Sequence, residues 1–238
     1  MRLASLLWAL AVCSAQKGGK LRGRDARLES DNLAAGGITR FRPGGHYILL
    51  TFDDGPHPVL TPKLLDLLKA KKVRCTFFVQ GTKAMDYPEI LKRMVSEGHE
   101  VASHGWAHTS ITQLSKEDLK QQLHQTSKVI EDTVKKRPAA FRPPNGNTNA
   151  TLNAHVTGEQ NMKVVLWNLD SLDWENKDAA TISKSILTRA KPGDVILAHD
   201  TSPEMVKAAE SLIDGLVKEG YELLTVSEML SFPDDTPK

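Results

Sequence analysis

Short apolar runs alternate with longer amphipathic segments along most of the chain, from Tyr47 onward. The short runs favour β-strands, and the longer segments repeat apolar residues every three or four positions, which favours helices. The predicted strands are YILLTF, CTFFV, HEVAS, AAF, KVVLWNL, DVILAH and YELLTV. The clearest predicted helices are PKLLDLLKAKK, PEILKRMVSEG, SKEDLKQQLHQTSKVIEDTVKK and PEMVKAAESLIDGLVKEG, and two of the helical patterns close at Gly98 and Gly220.

This alternation predicts an α/β fold in which helices surround a parallel sheet. About seven strands fit a distorted or incomplete (β/α) barrel better than a small open sheet. In such a barrel the chemistry lies where strands end, on the loops that lead into helices. We predict one domain at 46–232, with a polar, Gly/Arg-rich arm at 16–45 before it and a tail at 233–238 after it.

The first residues have the pattern of a secretory leader. MRLASLLWALAVCSA combines one arginine, an apolar run at 3–12 and small residues up to Ala15. The run is too short to span a bilayer, so we expect a signal peptide at 1–15, a secreted or cell-wall location and no membrane span. Cleavage would leave Cys75 as the single cysteine, and its apolar neighbours predict a buried thiol.

Charge is balanced along the chain. The 31 Lys and Arg residues and the 29 Asp and Glu residues are well mixed, and the formal net charge is +2. The sequence therefore contains no polybasic footprint of the kind that nucleic-acid binding needs. We expect no nucleic-acid partner, and we expect a monomer.

Five polar clusters follow predicted strands. They are Asp53 and Asp54 after YILLTF, His104 and His108 after HEVAS, Arg142 after AAF, Asp170 and Asp173 after VVLWNL, and His199 and Asp200 after DVILA. Because the carboxyl ends of parallel strands share one face of a barrel, these side chains are predicted to converge there.

The two histidines are four residues apart, a spacing that would place both imidazoles on one side of a helical turn. Alone, such a pair is more often a surface or turn feature. A carboxylate from another strand end would complete a three-ligand metal site with open positions. Either Asp53 or Asp54 can be that ligand, while the other takes a proton from water. The alternative, a turn that only caps the next helix, does not explain the histidines.

The segments TFDDGP, SHGWAH, FRPPNGN, DSLDW and ILAH occur in this order between residues 47 and 230. Together they resemble the five motifs of the polysaccharide deacetylases with the NodB homology domain, often grouped as carbohydrate esterase family 4. The resemblance implies a NodB-type barrel and a metal ion, usually zinc but in some members cobalt or another divalent cation. It implies that Asp54, His104 and His108 hold this ion.

The same resemblance implies the other roles. Asp53 would be the general base, oriented by Arg142, and His199 would be the general acid, tuned by Asp173. The family's substrate pocket corresponds to four further positions, and in the family the backbone N–H at the first of them stabilises the oxyanion. These positions are Asn145, Trp174, Leu197 and Pro144.

The implied activity is secreted, metal-dependent N-deacetylation of N-acetylglucosamine polymers such as chitin or chitooligosaccharides, which releases acetate and leaves a free amine. Peptidoglycan and O-acetylated xylan are substrate variants of the same chemistry. Two alternatives stay open, a non-catalytic glycan-binding module of this fold and a hydrolase of small amides or imides. The chain departs from the family pattern at Gly105, where Thr or Ser is usual, and at Asn145, where Tyr is usual.

Overall fold

The computed structural model describes residues 27–28, 36–42, 44–175 and 178–232. The predicted signal peptide at 1–15, most of the predicted arm and the tail at 233–238 lie outside these residues. The described part of the arm packs on the domain, because Ile38 and Phe41 are buried and the Phe41 N–H donates to the Gly193 carbonyl at 2.9 Å.

The predicted parallel sheet is confirmed. A small antiparallel ribbon pairs β1 (Arg27–Leu28) with β2 (Phe41–Arg42). The main sheet contains β3 (Tyr47–Asp53), β4 (Thr76–Val79), β5 (Glu100–Ser103), β6 (Ala140–Phe141), β7 (Lys163–Val164), β8 (Leu169–Asp170), β9 (Val195–His199) and β10 (Glu222–Leu223). Its order is β7-β6-β5-β4-β3-β9-β8, every neighbouring pair is parallel, and β10 pairs with the start of β3.

The sheet curls into the predicted incomplete barrel. β7 and β8 form its two opposite edges, yet only residues 165–168 connect them. A link of this length reaches at most about 18 Å when fully extended. The two edges must therefore approach each other, and a parallel bridge between Ile38 and Val165 lies at the same place.

Eight α-helices lie in the described chain. They are α1 (Leu60–Lys71), α2 (Gly81–Asp86), α3 (Pro88–Ser96), α4 (Lys116–Val134), α5 (Ala150–Ala154), α6 (Ala179–Leu187), α7 (Pro203–Lys218) and α8 (Val226–Leu230). Hydroxyl and carboxylate side chains cap several of them, as Ser115 accepts from the Asp118 N–H and Ser202 from the Met205 N–H. Gly98 and Gly220 have φ of +88° and +87°, which fits their predicted place after α3 and α7.

β3 shows how the core positions the site. Ile48, Leu50 and Phe52 pack in the cluster that includes the helices, whereas Leu49 packs in the second cluster inside the barrel. Successive strand residues point to opposite faces, so Asp53 shares the inner face with Leu49. The last residue of β3 therefore carries a carboxylate at the inner, carboxyl end of the barrel.

The prediction of one continuous strand for KVVLWNL is wrong. The strand stops after Val164 because the Arg142 guanidinium takes the Val165 and Leu166 carbonyls, at 3.0 and 2.8 Å. Asn168 then binds the next strand through its side chain, accepting from the Val195 N–H at 2.8 Å. In the 165–168 link, side-chain hydrogen bonds of Arg142 and Asn168 thus take the place of regular strand pairing.

YELLTV is also shorter as a strand than predicted. Only Glu222 and Leu223 pair, and Thr225 is the N-cap of α8, where its side chain and that of Glu228 form a capping box. The Thr-x-x-Glu spacing is the sequence signal of this helix start.

Two further expectations concern the single cysteine and the membrane. Cys75 is a buried free thiol, as predicted, and burial raises its pKa. Among the described residues, the helices are all too short or too polar to cross a membrane.

Candidate active site

The ion pair between Asp53 and Arg142 lies at the carboxyl ends of β3 and β6. Arg142 Nη1 donates to Asp53 Oδ1 at 2.7 Å, and both side chains are almost fully buried. Three further hydrogen bonds fix the guanidinium, to Thr51 Oγ1 and to two carbonyls of the 165–168 link. A buried charge held this completely can orient Asp53 rigidly.

Asp54, His104 and His108 lie together beside this ion pair. Asp54 Oδ1 is 3.5 Å from His104 Nε2 and 3.8 Å from His108 Nε2. One potential ligand atom from each residue lies within 4.8 Å of the others. His104 is buried and its Nδ1 is 2.8 Å from the Arg142 carbonyl, which leaves Nε2 for a ligand, while His108 reaches the surface.

This donor set fits a divalent metal ion. Two imidazoles and one carboxylate are typical ligands of catalytic zinc, with coordination positions left for water and substrate. Burial lowers the pKa of His104, so its imidazole is neutral and can act as a ligand. Burial opposes ionisation of Asp54, but His104, the Gln80 hydrogen bond and His108 together lower the pKa of Asp54.

The prediction that a helical turn pairs the two histidines is wrong. Residues 104–110 do not form a helical turn but an irregular loop after β5. Gly105 adopts φ +81°, a conformation that side chains other than glycine's rarely take, and this bend brings the two imidazole centroids to 5.6 Å. The loop, and not helical periodicity, pairs the histidines.

His199 and Asp173 form a second pair across the site. His199 Nδ1 is 2.7 Å from Asp173 Oδ1, and the His199 N–H donates to Asp173 Oδ2 at 3.0 Å. Burial is the largest single influence and disfavours the imidazolium. The Asp173 hydrogen bond and charge, aided by Asp53 and Asp54, outweigh it and raise the pKa of His199 to about 9. His199 is therefore protonated at neutral pH and can donate a proton.

A cavity of about 390 Å³ lies between the two halves of this arrangement. It is lined by Asp53, Asp54, His104, His108, Asn145, Trp167, Asp170, Trp174, Leu197 and His199. The five polar clusters predicted to converge each lie in this region, although Arg142 and Asp200 are fully buried behind the cavity wall. The structure thus brings a possible base, a possible acid and a possible metal site to one opening.

The four predicted substrate-binding residues differ in their placement. Leu197 is buried in the cavity wall, and Asn145 lines the cavity with φ +59°. Trp174 also lines it but is 64% exposed, so it stands at the rim and does not enclose a small recess. Pro144 is buried and is not among the lining residues in the described chain.

Trp167, to which the sequence argument gave no role, supplies an apolar wall. Its ring lies against Gly146, where an added Cβ would be only 2.8 Å away. A ring from the link between the sheet edges thus lies beside Asn145, the position where the family usually has Tyr.

Three further residues behind the site, Gln80, Lys83 and Thr61, were not predicted. Gln80 and Lys83 contact Asp54, and Thr61 Oγ1 donates to Asp200 Oδ2 at 2.5 Å under the turn at Gly55. Burial raises the pKa of Asp200 to about 7. These contacts join residues far apart in sequence, so local spacing could not reveal them. Asp200 itself belongs to the predicted cluster with His199, but its hydrogen bond with Thr61 was not predicted.

Comparison with known proteins decides the family. The family model for polysaccharide deacetylases matches residues 42–165. The chain belongs to the polysaccharide deacetylase family. The resemblance drawn from the five motifs is thereby confirmed.

The chain is also similar to individual deacetylases of the family. The chain is 40% identical to the peptidoglycan-N-acetylmuramic acid deacetylase PdaC of Bacillus subtilis over 79% of this chain, which spans 39% of that relative. It is 32% identical to a chitooligosaccharide deacetylase of Bradyrhizobium sp., with 76% of this chain and 89% of the relative covered. The solved structure of PdaC has a TM-score of 0.75 and 39% identity, and the match covers 80% of this chain and 93% of that one.

Proposed function

We propose that this polysaccharide deacetylase is a metal-dependent hydrolase that removes N-acetyl groups from glycans containing N-acetylglucosamine. The observation that carries the proposal is the placement of two opposed pairs, Asp53 with Arg142 and His199 with Asp173, on a cavity that also holds a three-ligand metal site. Amide hydrolysis needs a base for water and an acid for the leaving amine, and this cavity offers both.

In the proposed reaction Asp53 is the general base. Arg142 occupies its Oδ1, and its Oδ2 points toward His104, at 3.9 Å from Nδ1. Oδ2 can therefore accept a proton from the attacking water. A zinc or other divalent ion held by Asp54, His104 and His108 would supply Lewis acidity, polarising the acetamide carbonyl and lowering the pKa of water.

On the opposite side His199 is the general acid. Its raised pKa keeps the imidazolium populated, and Asp173 fixes the ring so that Nε2 is the proton donor to the departing amine. The developing oxyanion would also be stabilised by the backbone N–H of Asn145, on the cavity wall. Leu197 and Trp167 offer apolar surface for the acetyl methyl group.

The substrate is proposed to be a polymer of N-acetylated amino sugars. The relatives are named for peptidoglycan and for chitooligosaccharides, and both contain such sugars. Trp174 is exposed at the rim, where a sugar ring could stack on it. The leader-like first residues support a proposed secreted or cell-wall location, where these polymers occur.

The proposal is tested by measuring acetate released from N-acetylchitooligosaccharides and from purified peptidoglycan, with small amides and cyclic imides as competing substrates. We expect release from at least one glycan, loss of release after chelation, and recovery with zinc or cobalt. Glycan binding without acetate release would instead support the non-catalytic module. Hydrolysis confined to the small amides or imides would support the other alternative.

A further inference from the structure

Residues 80–83, at the junction of β4 and α2, contact both loops that carry the proposed metal ligands. One of these loops contains Asp54, and the other runs from His104 to His108. The ligands come from separate strands, so their relative position depends on whatever joins the two loops.

The first contact is made by the Gln80 side chain. Its Nε2 donates to Asp54 Oδ1 at 2.8 Å, and this is the carboxylate oxygen that lies 3.5 and 3.8 Å from the two imidazole Nε2 atoms. Gln80 is only 7% exposed, so its rotamer is confined by packing. The carboxamide thus orients the oxygen that would face the metal ion.

Two more contacts hold the backbone of the same loop. The Gln80 N–H donates to the Gly55 carbonyl at 3.0 Å, and Lys83 Nζ donates to the Asp54 carbonyl at 2.8 Å. Asp54 has φ +73°, a left-handed backbone conformation that residues other than glycine rarely adopt. These hydrogen bonds help to keep Asp54 in this conformation.

The second loop is held by the next two backbone N–H groups. Gly81 donates to the Gly105 carbonyl at 2.9 Å, and Thr82 donates to the Trp106 carbonyl at 3.0 Å. A Cβ at position 81 would lie 2.5 Å from the Trp106 ring, so this close approach requires glycine. These two hydrogen bonds therefore fix the backbone between the two histidines. They do so although Gly105 lacks the hydroxyl of the Thr or Ser that is usual at this position in the family.

We propose that residues 80–83 are a positioning segment for the metal site and that Gln80 is the residue in it that sets metal affinity. The proposal rests on the metal triad of the proposed function. Outer-shell partners that hydrogen-bond to a ligating carboxylate commonly change metal affinity by about 10–100-fold. Lys83 acts through the Asp54 carbonyl and not through a ligand atom, so its effect is smaller.

The test is the zinc affinity of the metal-stripped full chain, measured by competition with a chromophoric chelator. Gln80→Met keeps the length of the side chain but removes the donor, and we expect the Kd for zinc to rise by about 10-fold or more. Gln121→Met, the same exchange at an exposed position of α4, should leave the Kd unchanged. Thermal unfolding of the metal-free proteins should be the same for both variants.

A Kd for Gln80→Met within about two-fold of the wild-type value would overturn the inference. If Gln80→Met fails to fold, Lys83→Met decides in the same assay, with a raised Kd supporting the segment's role and an unchanged Kd refuting it. A wild-type chain that binds no zinc would refute the metal triad itself. Zinc binding by the wild type with unchanged variants would refute only the role of residues 80–83.

Discussion

Carboxylates are buried at both ends of the parallel sheet, but the groups around them differ between the two ends. At the amino end, Glu100 Oε2 accepts from Thr76 Oγ1 at 3.0 Å and from the Ser227 N–H at 2.9 Å, and Oε1 accepts from the Ser227 hydroxyl, which ties α8 to β5. Asp194 likewise accepts from the Asn168 side chain and from the Lys191 N–H, both at 2.8 Å. These carboxylates have donors on both oxygens and join structural elements.

At the carboxyl end a cavity opens beside Asp53 and Asp54. Asp53 has Arg142 on one oxygen while the other points toward His104 at 3.9 Å, and Asp173 holds an imidazole that lines the opening. Burial of a charge therefore does not by itself mark a site. What distinguishes the carboxyl end is an open cavity lined by carboxylates and imidazoles.

Asp53→Asn is expected to have the largest effect on activity. The amide keeps the shape and can still accept from Arg142, but it cannot take a proton from water. We expect the rate of acetate release to fall by about 10²–10⁴-fold, measured as kcat. Asp86→Asn, the same exchange at an exposed position at the end of α2, is the matched control. Activity of Asp53→Asn close to that of the control would show that Asp53 is not the base.

Asp173→Asn tests the acid side through pH. In the native chain the imidazolium of His199 persists up to about pH 9, so kcat/KM should decline as the pH rises through that value. Without the Asp173 charge, the pKa of His199 should drop toward its ordinary value of 6.5, and the decline should move to lower pH. Profiles of kcat/KM against pH for both proteins measure this shift. Superimposable profiles would contradict the role of Asp173.

Glu100→Gln should have the smallest effect on catalysis, because its carboxylate lies at the other end of the sheet. The amide cannot accept from all the donors around Glu100, so we expect a loss of about 1–3 kcal/mol in the free energy of unfolding. kcat/KM should stay within about two-fold of wild type. Glu222→Gln, an exposed glutamate at the start of β10, is the control in denaturant unfolding. A large loss of activity in folded Glu100→Gln would contradict the assignment of a purely structural role to the amino end of the sheet.

Periodicity predicted the architecture because each buried strand and each amphipathic helix is a local pattern. The parallel order, the four predicted helices and the curled sheet all agree with it. Periodicity failed at KVVLWNL, where the Arg142 side chain donates hydrogen bonds to the carbonyls of Val165 and Leu166. Arg142 and Val165 are 23 positions apart in sequence. A hydrogen bond between distant residues leaves no trace in hydrophobic patterning.

The candidate site was predictable to the extent that its residues end strands. Asp53, Asp54 and His199 follow from that rule, and the motif resemblance added roles that spacing could not assign. Gln80 and Glu100 were not predicted, since their importance lies in contacts made only after the sheet has formed. The reason the two histidines meet was also misjudged, because a glycine-dependent loop does what a helical turn was expected to do.

The most direct test of the account is metal-dependent acetate release by the full chain, Asp53→Asn and Glu100→Gln, assayed side by side on the same glycan after stripping and restoring zinc. We expect zinc to restore release in the wild type and in Glu100→Gln but not in Asp53→Asn. Equal release by all three proteins, or release that is indifferent to the metal, would contradict it.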